Sequence, residues 1–118
     1  MARRNRSSTG KAYRVKLHEH VFDDLADIGT FIARTHPFNA ERYVDRIFVA
    51  MDRLARFPNS HSLAPSLAGY GARRMRVGSH YVLFRVHEDV HAVHVLRVVH
   101  TKEDLRKFTG EFTEQSLG

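Results

Sequence analysis

The side chains of this 118-residue sequence with the most chemical potential are arginines and histidines of its second half. In the run Ala72-Arg73-Arg74-Met75-Arg76-Val77, strand alternation puts Met75 and Val77 on one face and Arg74 and Arg76 on the other. Two guanidinium groups about 7 Å apart on a sheet, with Arg73 beside them, can hold phosphates or carboxylates in a fixed geometry. The plainer reading is a set of solvated surface arginines. Arg97 lies in Val95-Leu96-Arg97-Val98-Val99, apolar on both sides, so it needs a partner or an open face. That partner is either a ligand or an internal carboxylate such as Asp24 or Asp27. His100 ends the same run and is either a proton donor and acceptor near neutral pH or a capping and packing residue.

Five histidines between residues 80 and 100 (His80, His87, His91, His94 and His100) raise the question of a metal. Strand parity answers against it, sending His91 and His94 to opposite faces and separating His94 from His100, on a shared face, by about 20 Å. Closed zinc sites need four convergent ligands, so no metal and no other cofactor is expected. His18 and His20 flank a helix start and read as solvent-facing. The absence of cysteine excludes disulfides, thiolate metal sites and cysteine nucleophiles, and fits a reducing, cytoplasmic setting. No phosphate-cradling glycine loop, serine-nucleophile motif or carboxylate pair on one element is present.

These residues are positioned by a single domain over residues 13–108, between a disordered basic arm at 1–12 and a flexible tail at 109–118. Tyr13, Val15 and Leu17 alternate with Arg14, Lys16 and His18 and predict a half-buried strand. Val21, Phe22, Leu25, Ile28 and Ile32 follow at helical spacing up to Pro37. Ala40, Tyr43, Val44, Ile47, Met51 and Leu54 predict a second helix over about 39–57, antiparallel to the first. A loop over 58–71 leads to strands at 72–77, 80–86 and 90–99, whose short connections allow only hairpins. A short helix is compatible with 101–108. The order β-α-α-β-β-β predicts an α+β fold with a helical hairpin on one face of a mostly antiparallel four-stranded sheet. The opposite face is expected to be partly uncovered and to carry function.

The formal charge of +6 comes from 19 Lys and Arg against 13 Asp and Glu, but Arg3, Arg4, Arg6 and Lys11 supply four of those charges in the arm. The rest of the chain is therefore close to neutral. No apolar stretch approaches the roughly 20 residues that span a bilayer, and the N-terminus lacks a signal-peptide core, so neither a membrane nor export is expected. Arg42, Arg46, Arg53 and Arg56 alternate with Glu41, Asp45 and Asp52 on the second helix, as on an ordinary solvated face.

The order of elements and several strings resemble the RelE/ParE toxin superfamily of bacterial toxin–antitoxin systems, and within it the ParE branch. The resemblance covers residues 13–107. It rests on Asp24-Leu25 with Ile28, Leu54-Ala55-Arg56-Phe57-Pro58, Arg74-Met75-Arg76, Tyr81-Val82-Leu83-Phe84-Arg85-Val86 and Val95-Leu96-Arg97-Val98-Val99-His100. It implies a small toxin neutralised by a cognate ParD-like antitoxin in a hetero-oligomer, acting on DNA gyrase as ParE proteins do. The alternative it implies is a RelE-type, metal-free endonuclease cutting messenger RNA on the ribosome. In that case Arg76 and Arg97 would hold the phosphate and His100 would assist proton transfer. Target binding is expected at Arg73, Arg74, Arg76, Arg97, His100 and Lys102. Phe84 stands where relatives often have tyrosine, and Thr101-Lys102-Glu103-Asp104 replaces a Gly-Arg turn. No tyrosine follows Tyr81, which excludes a catalytic C-terminal tyrosine. The arm is open to three readings: contact with DNA at the target, operator binding in the complex, or no role, the last being the plainest.

Overall fold

The computed structural model describes residues 12–114. Strand β1 (Arg14–Leu17) leads into helix α1 (Glu19–Ala33), and α2 (Pro37–Asp52) completes the hairpin. Strands β2 (Ala72–Val77), β3 (His80–His87) and β4 (Ala92–His100) follow, and a 3-10 turn over Leu105–Phe108 runs into α3 (Thr109–Glu114). The sheet order is β1-β4-β3-β2, with β1 parallel to β4 and the remaining pairs antiparallel. The expected order of elements and the four-stranded sheet are thus present.

Local chemistry sets the boundaries. The His18 side chain accepts from the His20 N–H and caps α1, while Pro37 opens α2, where its missing donor costs nothing. Helix α2 ends earlier than its apolar period suggests. A 3-10 turn at Arg53–Ala55 follows it, and Phe57 takes φ 53° ahead of Pro58, which disfavours helical geometry in the residue before it. Strand β4 starts late because Glu88–Val90 form a 3-10 turn and His91 takes φ 52°. At the β2–β3 turn Gly78 has φ 58°, and a Cβ there would lie 2.7 Å from the Tyr43 hydroxyl. That hydroxyl accepts from the Ser79 N–H (3.0 Å) and contacts the Val77 carbonyl and His80 Nδ1, so the turn is tied to α2.

Two apolar clusters lie on the two sides of the sheet. The larger packs Val21 and Leu25 of α1 and Ile47 and Met51 of α2 on Met75, Val82, Phe84, Val93 and Val95. The second joins Ala72, Leu83, Leu96 and Val99 with Ala64 and Leu67 of the loop and Leu105, Phe108 and Phe112 of the C-terminal segment. This corrects two expectations. The second face is covered over its middle, and the tail expected to be flexible from residue 109 is helical through Glu114, with Phe112 fully buried. The buried aromatic is what orders it, since a six-residue helix is not stable in isolation. The arm at 1–12, apart from its last residue, and residues 115–118 lie outside the described residues.

A bulge in β4 alters the parity used for the histidines. Phe84 pairs with Val95 and Leu83 with Arg97, so Leu96 is the extra residue. Leu96 and Val99 join the second cluster, whereas Val95 and Val98 join the first. His94 and His100 therefore do not share a face, contrary to simple alternation. Among the described residues no three His, Asp or Glu side chains converge as metal ligands, and no helix is long and apolar enough to cross a membrane.

Candidate functional site

Arg74 and Arg76 stand on the sheet face away from the hairpin, as alternation predicts, because Met75 and Val77 belong to the hairpin cluster. The Arg74 guanidinium lies 4.5 Å from the centre of the Tyr81 ring. Arg76, the exposed member, donates from Nε to the Gly78 carbonyl at 3.0 Å. Both charges are positioned by contacts that leave them un-neutralised, which suits recognition of an anionic group. Arg73 belongs to the other face, and its Nη1 donates to the His61 carbonyl at 2.6 Å. The structure therefore does not bring it together with Arg74 and Arg76.

Arg97 is committed internally. The bulge turns it onto the face of Leu96, where Nε and Nη2 donate to the two carboxylate oxygens of Asp24, each at 2.8 Å, and Nη1 donates to Glu111 at 2.9 Å. Asp24 also accepts the Val98 N–H at 2.9 Å, and the guanidinium lies 4.8 Å from the centre of the Phe108 ring. Of the two readings open from sequence, the structure has the ion pair: Asp24 rather than Asp27, with Glu111 as a further partner. Hydrogen bonding to Asp24, above all, raises the Arg97 pKa still further.

His100 ends β4 in an exposed position, opposite His80. Its Nδ1 accepts the Lys102 N–H at 3.1 Å, and its ring meets that of His80 edge-on at 5.3 Å. Burial, and secondarily His100, lower the His80 pKa. A cleft of about 360 Å³ between α1 and the end of β4 is lined by Asp24, Phe31, His80, Arg97 and His100. Arg97 and His100 thus reach one cleft, but from opposite faces of the strand and with the Arg97 charge turned to Asp24. Arg76 is not among its lining residues. Lys102 is exposed in the turn after β4. The trio Arg76, Arg97 and His100 is not assembled as one phosphate-holding centre.

A second concavity of about 430 Å³ runs between α2 and β2, with Val49, Ala50, Met75 and Val77 as its floor and Arg46, Arg53 and Arg76 around it. Sequence reasoning did not single out Arg46 or Arg53, which looked like members of a mixed solvated face. His94, considered from sequence only as a metal ligand, is the one buried polar residue among those described, at 8% exposure. Burial first, then His18, His87, Lys16 and Arg85, push its pKa down to about 4.

The unfolded chain protonates that imidazole near its ordinary value of about 6.5. Between these two values the unfolded state binds a proton that the folded state refuses, so stability is full above pH 6.5 and declines as pH falls toward 4. The shifts at His80 and His61 act in the same direction. Thermal melts are expected to be flat near neutral pH and to fall by several degrees over this window, with His94→Gln reducing the fall. A melting temperature independent of pH across the window would contradict the buried neutral assignment.

The structure is thus a helical hairpin on one face of a four-stranded sheet, with Arg74 and Arg76 on the far face. Solved structures place it more closely. The chain resembles a chain of the chromosomal ParDE toxin–antitoxin system from P. aeruginosa (20% identity, TM-score 0.66, covering 77% of this chain and 98% of that one). It also resembles chains of the RelBE2 toxin–antitoxin complex from Mycobacterium tuberculosis (24%, 0.53, 80% and 97%) and of the archaeal RelE–RelB complex from Pyrococcus horikoshii OT3 (16%, 0.53, 79% and 99%). At such identities the likeness is one of fold. No curated protein matches the chain by sequence. Residues 15–105 match the family described as the ParE toxin of the type II toxin–antitoxin system, parDE. The chain belongs to that family of toxins.

Proposed function

We propose that this protein is a cytoplasmic toxin that inhibits DNA gyrase by binding it, and that a ParD-like antitoxin neutralises it in a hetero-oligomer. The observation that carries the choice of binding over cleavage is the commitment of Arg97 to Asp24 and Glu111. A guanidinium already balanced by two carboxylates has little charge left for a phosphate transition state. Leu83, Leu96, Val99 and Phe108 fill the face around it with apolar surface. Arg74 and Arg76 remain as the target-facing pair, with His100 and Lys102 at the same end of the sheet. The choice of gyrase as the target rests on the resemblance of the sequence to the ParE branch.

The antitoxin reading draws on the concavity between α2 and β2. Its apolar floor and three arginines suit an amphipathic segment bearing acidic residues. Arg76 lines that concavity and belongs to the target-facing pair, so an antitoxin seated there would cover a target contact directly.

A supercoiling assay with purified gyrase and toxin released from its antitoxin tests the reading. The expected result is lost supercoiling with accumulation of cleaved DNA, reversed by antitoxin. The Arg74→Ala/Arg76→Ala variant is expected to need about tenfold more protein for the same inhibition. No inhibition by a folded, antitoxin-binding sample, together with ribosome-dependent cleavage of messenger RNA, would replace this reading by the nuclease.

A further inference from the structure

Arg76 lies just before the turn that joins β2 to β3, and its direction is set within that turn. Val77 pairs with His80 and Arg76 with Tyr81, so Gly78 and Ser79 form a tight hairpin connection. Gly78 takes φ 58°, and its carbonyl accepts the Arg76 Nε–H at 3.0 Å. That bond uses Nε and leaves both Nη groups for an anion. A single exposed hydrogen bond to a turn carbonyl orients an arginine only as firmly as the turn itself is held.

Tyr43 of α2 holds it. The Tyr43 hydroxyl lies 3.0 Å from the Ser79 nitrogen, 3.2 Å from the Val77 carbonyl and 2.7 Å from His80 Nδ1. A phenol both donates and accepts, so all these contacts are satisfied when it accepts from the Ser79 and His80 N–H groups and donates to the Val77 carbonyl. One oxygen thereby ties Val77, Ser79 and His80 together. The Tyr43 ring is half-buried against the hairpin cluster and meets the His80 ring edge-on at 5.5 Å, so the hydroxyl is presented from a packed base. The Thr101 N–H supports the turn from the β4 side, but at a different carbonyl, that of Ser79. Arg74 offers the contrast: its guanidinium stacks over the Tyr81 ring at 4.5 Å, a contact made on the sheet face and not through the turn.

We infer that Tyr43 is a positioning residue for the target-facing site: by clasping the β2–β3 turn it fixes the direction in which Arg76 presents its charge, while Arg74 is aimed without it. The inference deepens the functional reading above and rests on its assignment of Arg76 to the target. The ring of Tyr43 belongs to the apolar stripe of α2, and the hydroxyl at its end has this second task. Gly78 is part of the same device, since a Cβ there would lie 2.7 Å from the hydroxyl and would push the clasp open.

The test is Tyr43→Phe in the full-length protein, which keeps the ring and removes the hydroxyl, read in two ways. The first reads the arginine itself by nuclear magnetic resonance of isotope-labelled protein. The Arg76 Nε–H signal is expected to be distinct and slow to exchange with water in the parent, and to take the shift and exchange rate of a free arginine in Tyr43→Phe, while the Arg74 signal stays in place. The second is a double-mutant cycle in the inhibition of gyrase supercoiling. Tyr43→Phe is expected to raise the half-inhibitory concentration about three- to fivefold, the worth of a hydrogen-bonded support. It should add nothing when Arg76 is already alanine, because Tyr43 acts through Arg76. Equal losses in both backgrounds would mean that Tyr43 supports the fold at large and would overturn the positioning role. Unchanged inhibition by Tyr43→Phe, or an unchanged Arg76 signal, would overturn it as well. If the parent protein leaves gyrase untouched, the target reading falls, and the Arg76 signal alone decides whether Tyr43 aims that side chain.

Discussion

Arg97→Ala will lower the melting temperature by about 10–15 °C, corresponding to roughly 2–3 kcal/mol for a domain of this size. The change removes the cation between Asp24 and Glu111, whose side chains are only 11% and 24% exposed, and leaves two carboxylates facing one another. Asp24 would keep only the Val98 N–H among its present donors. Lysine at the same position restores the charge but not the two-pronged contact, so Arg97→Lys should fall between the parent and alanine. A double-mutant cycle with Asp24→Ala, followed by denaturant unfolding, should give a coupling of about 2 kcal/mol. An alanine variant that melts within about 2 °C of the parent would mean that the guanidinium is free for a ligand and would reopen the nuclease reading.

The second large effect belongs to Phe112. Phe112→Ala is expected to cost about 3–4 kcal/mol, because the ring is fully buried between the loop and the sheet and its removal opens a cavity against Ala64, Leu67 and Leu83. Truncation after Phe108 should cost at least as much, since it also removes Glu111, the second acceptor of Arg97. Circular dichroism melts of both proteins provide the measurement. A truncated protein as stable as the parent would restore the view that everything past residue 108 is an appendage.

The parts of the fold that could be read from sequence are those with a clean period. Alternation over 13–18 and 72–77 predicted which side chains face the hairpin, and Arg74 and Arg76 stand where it put them. The β4 bulge could not be read, because Val95-Leu96-Arg97-Val98-Val99 is apolar on both sides of Arg97 and contains no alternation to break. That one extra residue decides where Arg97 points and moves His100 off the face that carries His94. Phe112 is a lone aromatic in a polar run after Gly110, and its burial depends on strand residues lying 13–40 positions earlier in the chain. Choosing Asp24 over Asp27 required the crossing of α1 over β4.

The pairing of the first strand with the last has a consequence for synthesis. Strand β1 leaves the ribosome early, but β4, its strand partner among the described residues, follows 78 positions later (Arg14 opposite Ala92), and the contact between Asp24 and Arg97 spans 73 positions. At roughly 5–20 residues per second the chain exists for several seconds as a translating intermediate with no closed sheet. Contacts of such long range also slow folding after release. The toxin therefore becomes a folded species only once β4 has been made, and a nascent chain that stops before it carries Arg74 and Arg76 without the scaffold that aims them. Until that strand is in place an antitoxin has no finished surface to cover.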